Sequence, residues 1–154
     1  MSNTAQSGGD ARDDQTGRFV RQPNGRVRPL SPHLQVWRWH VTMLGSILNR
    51  MTGIALYFGL AIVALWLLAL AFGQDSYDLF SRFSGSPLGL LIWIGLTFSL
   101  MYHLAGGVRH LIWDGGAMLS PKDATSLTWL SIGFGVVGTV AFWAWLFASG
   151  KVQL

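Results

Sequence analysis

Three stretches of this chain, Met51 to Phe72, Pro87 to Val108 and Ala124 to Gly150, carry almost no charge, and each reaches the roughly 20 residues a helix needs to cross the hydrocarbon core of a bilayer. Backbone amides have no water to bond inside a membrane, so segments of this kind close their hydrogen bonds internally as helices. Half of the 154 residues are apolar (51%) and only 12% are charged, a membrane-like balance rather than that of a compact soluble domain. The expectation is an all-α membrane protein with three transmembrane helices. Three helices enclose too little volume to surround a large cofactor, so a partner membrane subunit is also expected.

The formal net charge of +4 could point to nucleic acid, but its distribution points elsewhere. Seven of the eleven basic residues, Arg12, Arg18, Arg21, Arg26, Arg28, Arg38 and Arg50, lie before or at the first span. That is a topology signal, and no nucleic-acid partner is expected. The first connection holds Asp75, Asp78 and Arg82, and the second holds Lys122 and Asp123 just after Arg109. By the positive-inside rule the amino terminus and second connection face the cytoplasm, or a mitochondrial matrix, and the carboxyl terminus lies opposite. With no Cys, this chain offers neither disulfides nor thiolate metal sites.

Residues 1–28 are rich in Gly, Asp, Arg, Ser and Gln without hydrophobic periodicity, and read as a disordered tail. They have no apolar core of a secretory signal, and three Asp argue against a transit peptide. Residues 29–43 read as an interfacial segment: two prolines block helix, and Trp37 and Trp39 flank Arg38, the mixture of a headgroup boundary. Residues 44–150 then form the anchor, its first helix beginning near Thr42 to Leu44.

On that helix Ser46, Asn49, Arg50 and Gly53 share a face at i, i+3, i+4 and i+7. The second helix starts at Ser86-Pro87, proline suiting the first helical position. Along it Gly95, Ser99, His103, Gly106 or Gly107, His110 and Asp114 recur every three or four residues, a stripe expected to face the bundle. The third has Gly133, Gly135 and Gly138 for close approach, with Trp143 and Trp145 expected at an interface.

His103 is the only ionisable residue in mid-span on the second helix, and an imidazole is costly to keep there without a ligand, proton or ion to serve. Gly106 and Gly107, one turn away, leave a flat space where a planar group could lie, as an axial haem ligand requires. His110 projects from the same face roughly 10 Å further along the axis, so the two cannot clamp one iron. Any second axial ligand must come from another subunit. Arg50, Arg109 and His110, near the cytoplasmic end, could pair with haem propionates or a carbonyl headgroup. Two plainer readings stay open beside these: His103 as a buried histidine bonded to a neighbouring helix, and Arg50 and Arg109 as residues snorkelling to the interface.

Three motifs in order, Arg-Pro-Leu-Ser-Pro-His-Leu-Gln at 28–35, Ser-Ile-Leu-Asn-Arg-Met-Thr-Gly at 46–53, and His103 followed by Gly107, Arg109, His110, Trp113 and Asp114, resemble the cytochrome b anchor subunit of succinate dehydrogenase, complex II. The resemblance covers about residues 28–150. It implies half of a heterodimeric bundle, a second three-helix subunit contributing the other half and one haem b held between them. It implies His103 as the iron ligand and Ser46 and Arg50 at a ubiquinone site beside the iron–sulfur subunit. The family usually has histidine at Asn49, associated there with the propionates; asparagine can donate a hydrogen bond but carries no charge.

A flavoprotein subunit and the iron–sulfur subunit would carry the remaining chemistry, since this chain has neither a dinucleotide-binding glycine motif nor cysteines for a cluster. A bacterial inner membrane is expected in preference to a mitochondrial one. Two alternatives remain: a fumarate reductase anchor using menaquinone, and a haem-free scaffold or transport subunit whose polar stripe serves packing or proton passage.

Overall fold

The computed structural model of the chain describes residues 19–29 and 37–150, divided between two compact units, Met1–Trp39 and His40–Leu154. In the first, β1 (Phe19–Arg21) and β2 (Val27–Pro29) pair antiparallel, with Phe19 opposite Pro29 and Arg21 opposite Val27. Gln22-Pro23-Asn24-Gly25 makes the turn. Its Gly25 N–H donates to the Gln22 carbonyl at 2.9 Å and the Arg26 N–H to Asn24 Oδ1 at 3.1 Å, while Gly25 takes a φ of +78° that side chains resist.

The expected tail therefore ends in a hairpin, because local turn chemistry can order a segment that has no hydrophobic period; residues 1–18 lie outside the described residues. Of the expected interfacial segment, residues 30–36 likewise lie outside them. Trp37 and Trp39 are exposed and meet edge-on at 5.9 Å.

The second unit contains α1 (Val41–Phe72), α2 (Gln74–Ser84), α3 (Pro87–Asp114) and α4 (Pro121–Ala148). The three longer helices are each long and apolar enough to cross a membrane. At 32 residues α1 is about 48 Å long, well beyond a hydrocarbon core of about 30 Å. It starts three residues before the expected boundary at 44 and ends at Gly73, whose φ of +104° turns the chain directly into α2.

As the Ser86-Pro87 pair predicts, the Ser86 side chain caps α3 by accepting the Gly89 N–H at 3.1 Å. Ser120-Pro121 does the same for α4, accepting from the Asp123 N–H at 3.2 Å and donating to its carboxylate at 2.7 Å.

Helix α3 packs against both α1 and α4, and α1 touches α4, so the three spans close into a bundle. Its interior is built the opposite way from a water-soluble core. Among the described residues the buried apolar side chains are Tyr102, Leu127 and Trp143, against Thr52, Ser99, Arg109, Thr128, Ser131 and Thr139 on the polar side. Leu60, Leu67, Leu91, Leu100 and Val137 face outward. A bilayer makes this arrangement favourable, since lipid accepts leucine as readily as a core does and small residues let helices approach.

Each buried serine or threonine hydroxyl donates to the carbonyl four residues earlier: Thr52 to Leu48, Ser99 to Gly95, Thr128 to Ala124, Ser131 to Leu127 and Thr139 to Gly135, at 2.6–2.8 Å. No polar hydrogen among them is left unpaired in hydrocarbon.

Some of the helix-facing expectations need correction. Trp143 turns into the bundle, where it is buried and its indole N–H donates to Thr97 Oγ1 at 3.3 Å. Gly135 lies against Tyr102 and Phe98 as close packing requires, but Gly133 opens onto empty space. The connection read between the first two spans is itself the helix α2. It packs against α1 and α3, and Ser84 at its end accepts the Trp93 indole N–H at 2.6 Å.

Candidate functional site

The inner face of α3 runs through Ser99, Tyr102, Gly106 and Arg109, all buried. His103, Gly107, His110 and Asp114 lie around the same helix at an offset of roughly 90° at 100° per residue. Their burial follows: His103 is half-buried, while Gly107, His110 and Asp114 are exposed. Of the polar stripe, Ser99 and Gly106 thus face this chain's own interior while His103, Gly107, His110 and Asp114 flank it, and Tyr102 and Arg109 take the remaining central positions.

His103 meets α1. Its Nδ1 lies 3.2 Å from Thr52 Oγ1, and the ring rests on Gly53, where a Cβ would come within 3.2 Å of Cε1. Among the described residues no partner meets Nε2. The room beside this ring differs from the expectation drawn from Gly106 and Gly107. Gly106 is filled by the Asn49 amide, into whose oxygen a Cβ would run, whereas Gly107 on the His103 flank has nothing within 4 Å. One glycine allows close helix approach and the other leaves an open surface.

Towards the start of α1 a cleft of about 270 Å³ gathers five of the six residues singled out from the sequence. Ser46, Asn49 and Arg50 come from α1, Arg109 and His110 from α3; Thr42, Trp113 and, from α4, Thr128 complete it. His103 is not part of it. Ser46, Arg50 and His110 are exposed, and His110 stands edge-on to Trp113 at 5.3 Å.

Arg109 behaves differently from a snorkelling side chain. Only 4% exposed, it donates from Nη1 to Thr128 Oγ1 at 3.2 Å and carries its guanidinium over the Trp113 ring, 5.1 Å from the centroid. Three buried polar atoms border this region without a partner among the described residues: Asn49 Oδ1, Arg109 Nε and Trp113 Nε1. Unpaired groups this deep are costly to keep without a hydrogen-bond partner.

Residue spacing does not single out Thr52, Tyr102 or Thr128. Tyr102 is fully buried and donates from its hydroxyl to the Gly45 carbonyl at 2.8 Å, tying α3 to the first turns of α1. Thr52 lay inside the motif at 46–53 but off the polar face that singled out its neighbours. Nothing in the sequence marks Thr128 among the other hydroxyl residues of α4, because its role depends on where Arg109 arrives from another helix.

Residues 24–142 match the family model described as succinate dehydrogenase/fumarate reductase transmembrane subunit. The succinate dehydrogenase cytochrome b556 subunit of Rickettsia felis is 31% identical over 116 residues, covering 75% of this chain and 90% of that protein. Its counterpart in Paracoccus denitrificans is 39% identical over 97 residues, covering 63% and 75%. The mitochondrial succinate dehydrogenase cytochrome b560 subunit of Sus scrofa is 39% identical over 119 residues, covering 76% and 70%.

Proposed function

The chain belongs to the succinate dehydrogenase/fumarate reductase transmembrane subunit family, and from that membership we propose that it is the cytochrome b anchor of a succinate:quinone oxidoreductase. In this reading it holds the flavoprotein and iron–sulfur subunits at a bacterial inner membrane with its amino terminus in the cytoplasm. It shares a haem b with a second three-helix subunit and forms part of the ubiquinone-reduction site.

The observation that carries the reading is His103: one imidazole, half-buried against α1, with one nitrogen engaged by Thr52 and the other unpartnered among the described residues. His103 would be this chain's ligand to a porphyrin iron shared with a second chain, and the open surface at Gly107 would suit a flat group. When bound, the haem supplies a one-electron centre inside the membrane. His103 holds it from this side. Arg50, Arg109 and His110 offer positive or donor groups toward its carboxylates, and Asn49 a neutral amide.

At the cleft, Ser46 and Arg50 stand exposed on the first turns of α1. In that cleft a hydroxyl and a guanidinium can donate to a quinone carbonyl, and the charge of Arg50 favours the reduced oxyanion.

Two experiments on the assembled complex test the reading. A His103→Leu variant is expected to lose the low-spin bis-histidine haem signal in reduced-minus-oxidised spectra; an unchanged signal would sink the ligand assignment. Ser46→Ala and Arg50→Leu are each expected to lower quinone reduction far more than succinate oxidation by a soluble artificial acceptor. Equal loss in both assays would mean failed attachment of the catalytic subunits and would remove these residues from the quinone site.

A further inference from the structure

Three threonines in this bundle make the same pair of bonds. Thr97 donates to the Trp93 carbonyl at 2.7 Å and accepts from the Trp143 indole at 3.3 Å. Thr128 donates to the Ala124 carbonyl at 2.7 Å and accepts from the Arg109 guanidinium at 3.2 Å. In both, the direction is beyond choice, because indole and guanidinium nitrogens only donate. Thr52 repeats the geometry: its hydroxyl lies 2.8 Å from the Leu48 carbonyl and its oxygen 3.2 Å from His103 Nδ1. A threonine hydroxyl has one hydrogen, and buried in a membrane helix it goes to the carbonyl of its own helix. The oxygen then accepts, and the hydrogen between Thr52 and His103 belongs to the imidazole.

We propose that Thr52 is a positioning residue that holds His103 in the Nδ1–H form, leaving the Nε2 lone pair free to bind iron, and that it sets the strength of His103 as a ligand. The inference rests on the reading of His103 as the haem ligand. A ligating histidine whose other nitrogen donates a hydrogen bond is fixed in ring orientation and is the more basic donor. A stronger donor stabilises the oxidised iron more than the reduced, so the bond from His103 to Thr52 lowers the midpoint potential. Gly53 supports the same geometry: with hydrogen as its side chain, the ring can lie against α1 within reach of Thr52.

The test uses the assembled complex with Thr52→Val, which keeps the shape and removes the hydroxyl, and Thr52→Ser, which restores it. Thr52→Val is expected to shift the low-spin electron paramagnetic resonance signal, to raise the haem midpoint potential and to weaken haem retention by roughly 10-fold or more. Thr52→Ser is expected to return all three towards the parent. Thr97→Val, which removes the equivalent bond at Trp143, should leave the haem signal and potential unchanged.

If Thr52→Val does not assemble, Thr52→Ala removes the same hydroxyl without the added methyl and carries the same expectation. A hydroxyl-free variant with the parental signal and potential overturns the proposal. If His103→Leu abolishes the signal in parallel, the ligand reading survives that result; if His103→Leu keeps it, both fall.

Discussion

Gly106 and Asn49 are the pair on which the approach of α1 to α3 turns. A methyl at 106 would run into the Asn49 amide oxygen, which is itself buried and unpartnered. Gly106→Ala is therefore expected to destabilise the complex by about 1–3 kcal/mol, the usual cost of overpacking, read as a lower thermal midpoint. Adding Asn49→Ala should recover part of the loss; a double variant no more stable than Gly106→Ala alone would place the strain elsewhere. Arg109 sets a second test. Its planar group bonds Thr128 while lying over Trp113, a combination that an ammonium on a flexible stem cannot reproduce. Arg109→Lys is expected to lower thermal stability, and Thr128→Val to cost about 1 kcal/mol, within the range for intramembrane hydrogen bonds. Parental stability in Arg109→Lys would show that the charge alone is what the bundle requires.

Among the elements, α2 answers to two solvents at once. Asp75, Asp78 and Arg82 lie exposed on one side, Tyr77, Phe80 and Ser84 are half-buried on the side packed against α1 and α3, and Leu79 and Phe83 stand exposed between. A short amphipathic helix joining two membrane spans suits the boundary between headgroups and acyl chains. The chain has no cysteine, so single thiols report cleanly on its position. A nitroxide label at Leu79→Cys is expected to collide more with oxygen, which partitions into lipid, and one at Asp78→Cys more with a water-soluble nickel complex. Equal profiles at the two sites would take α2 out of the boundary.

For the whole molecule, orientation follows from charge. Positive residues gather before α1, and the orientation proposed on that ground has that end in the cytoplasm and α2 on the opposite side. In intact cells of a bacterial host, Asp78→Cys in α2 is expected to react with a membrane-impermeant thiol reagent, and Asp123→Cys at the start of α4 only after lysis. The reverse pattern would invert the topology and move the cleft of Ser46 and Arg50 to the wrong side for an iron–sulfur subunit in the cytoplasm.

The three spans, the Ser86-Pro87 start of α3 and the grouping of Ser46, Asn49 and Arg50 were legible in the chain alone, because hydropathy over a membrane's thickness, capping chemistry and the 3.6-residue period are local properties. The hairpin at 19–29 was overlooked although its turn residues are plain, since it has no hydrophobic alternation to announce it. Three further features appear only with the helices packed. Tyr102 and Arg109, not the stripe of His103 and His110, occupy the interior; Gly53 on α1 makes room for the imidazole; and Thr52 and Thr128 become partners of His103 and Arg109. Periodicity gives the angle between residues on one helix, but which angle faces inward depends on how the side chains of three helices fill a shared volume. That is a property of their packing, and no single segment carries it.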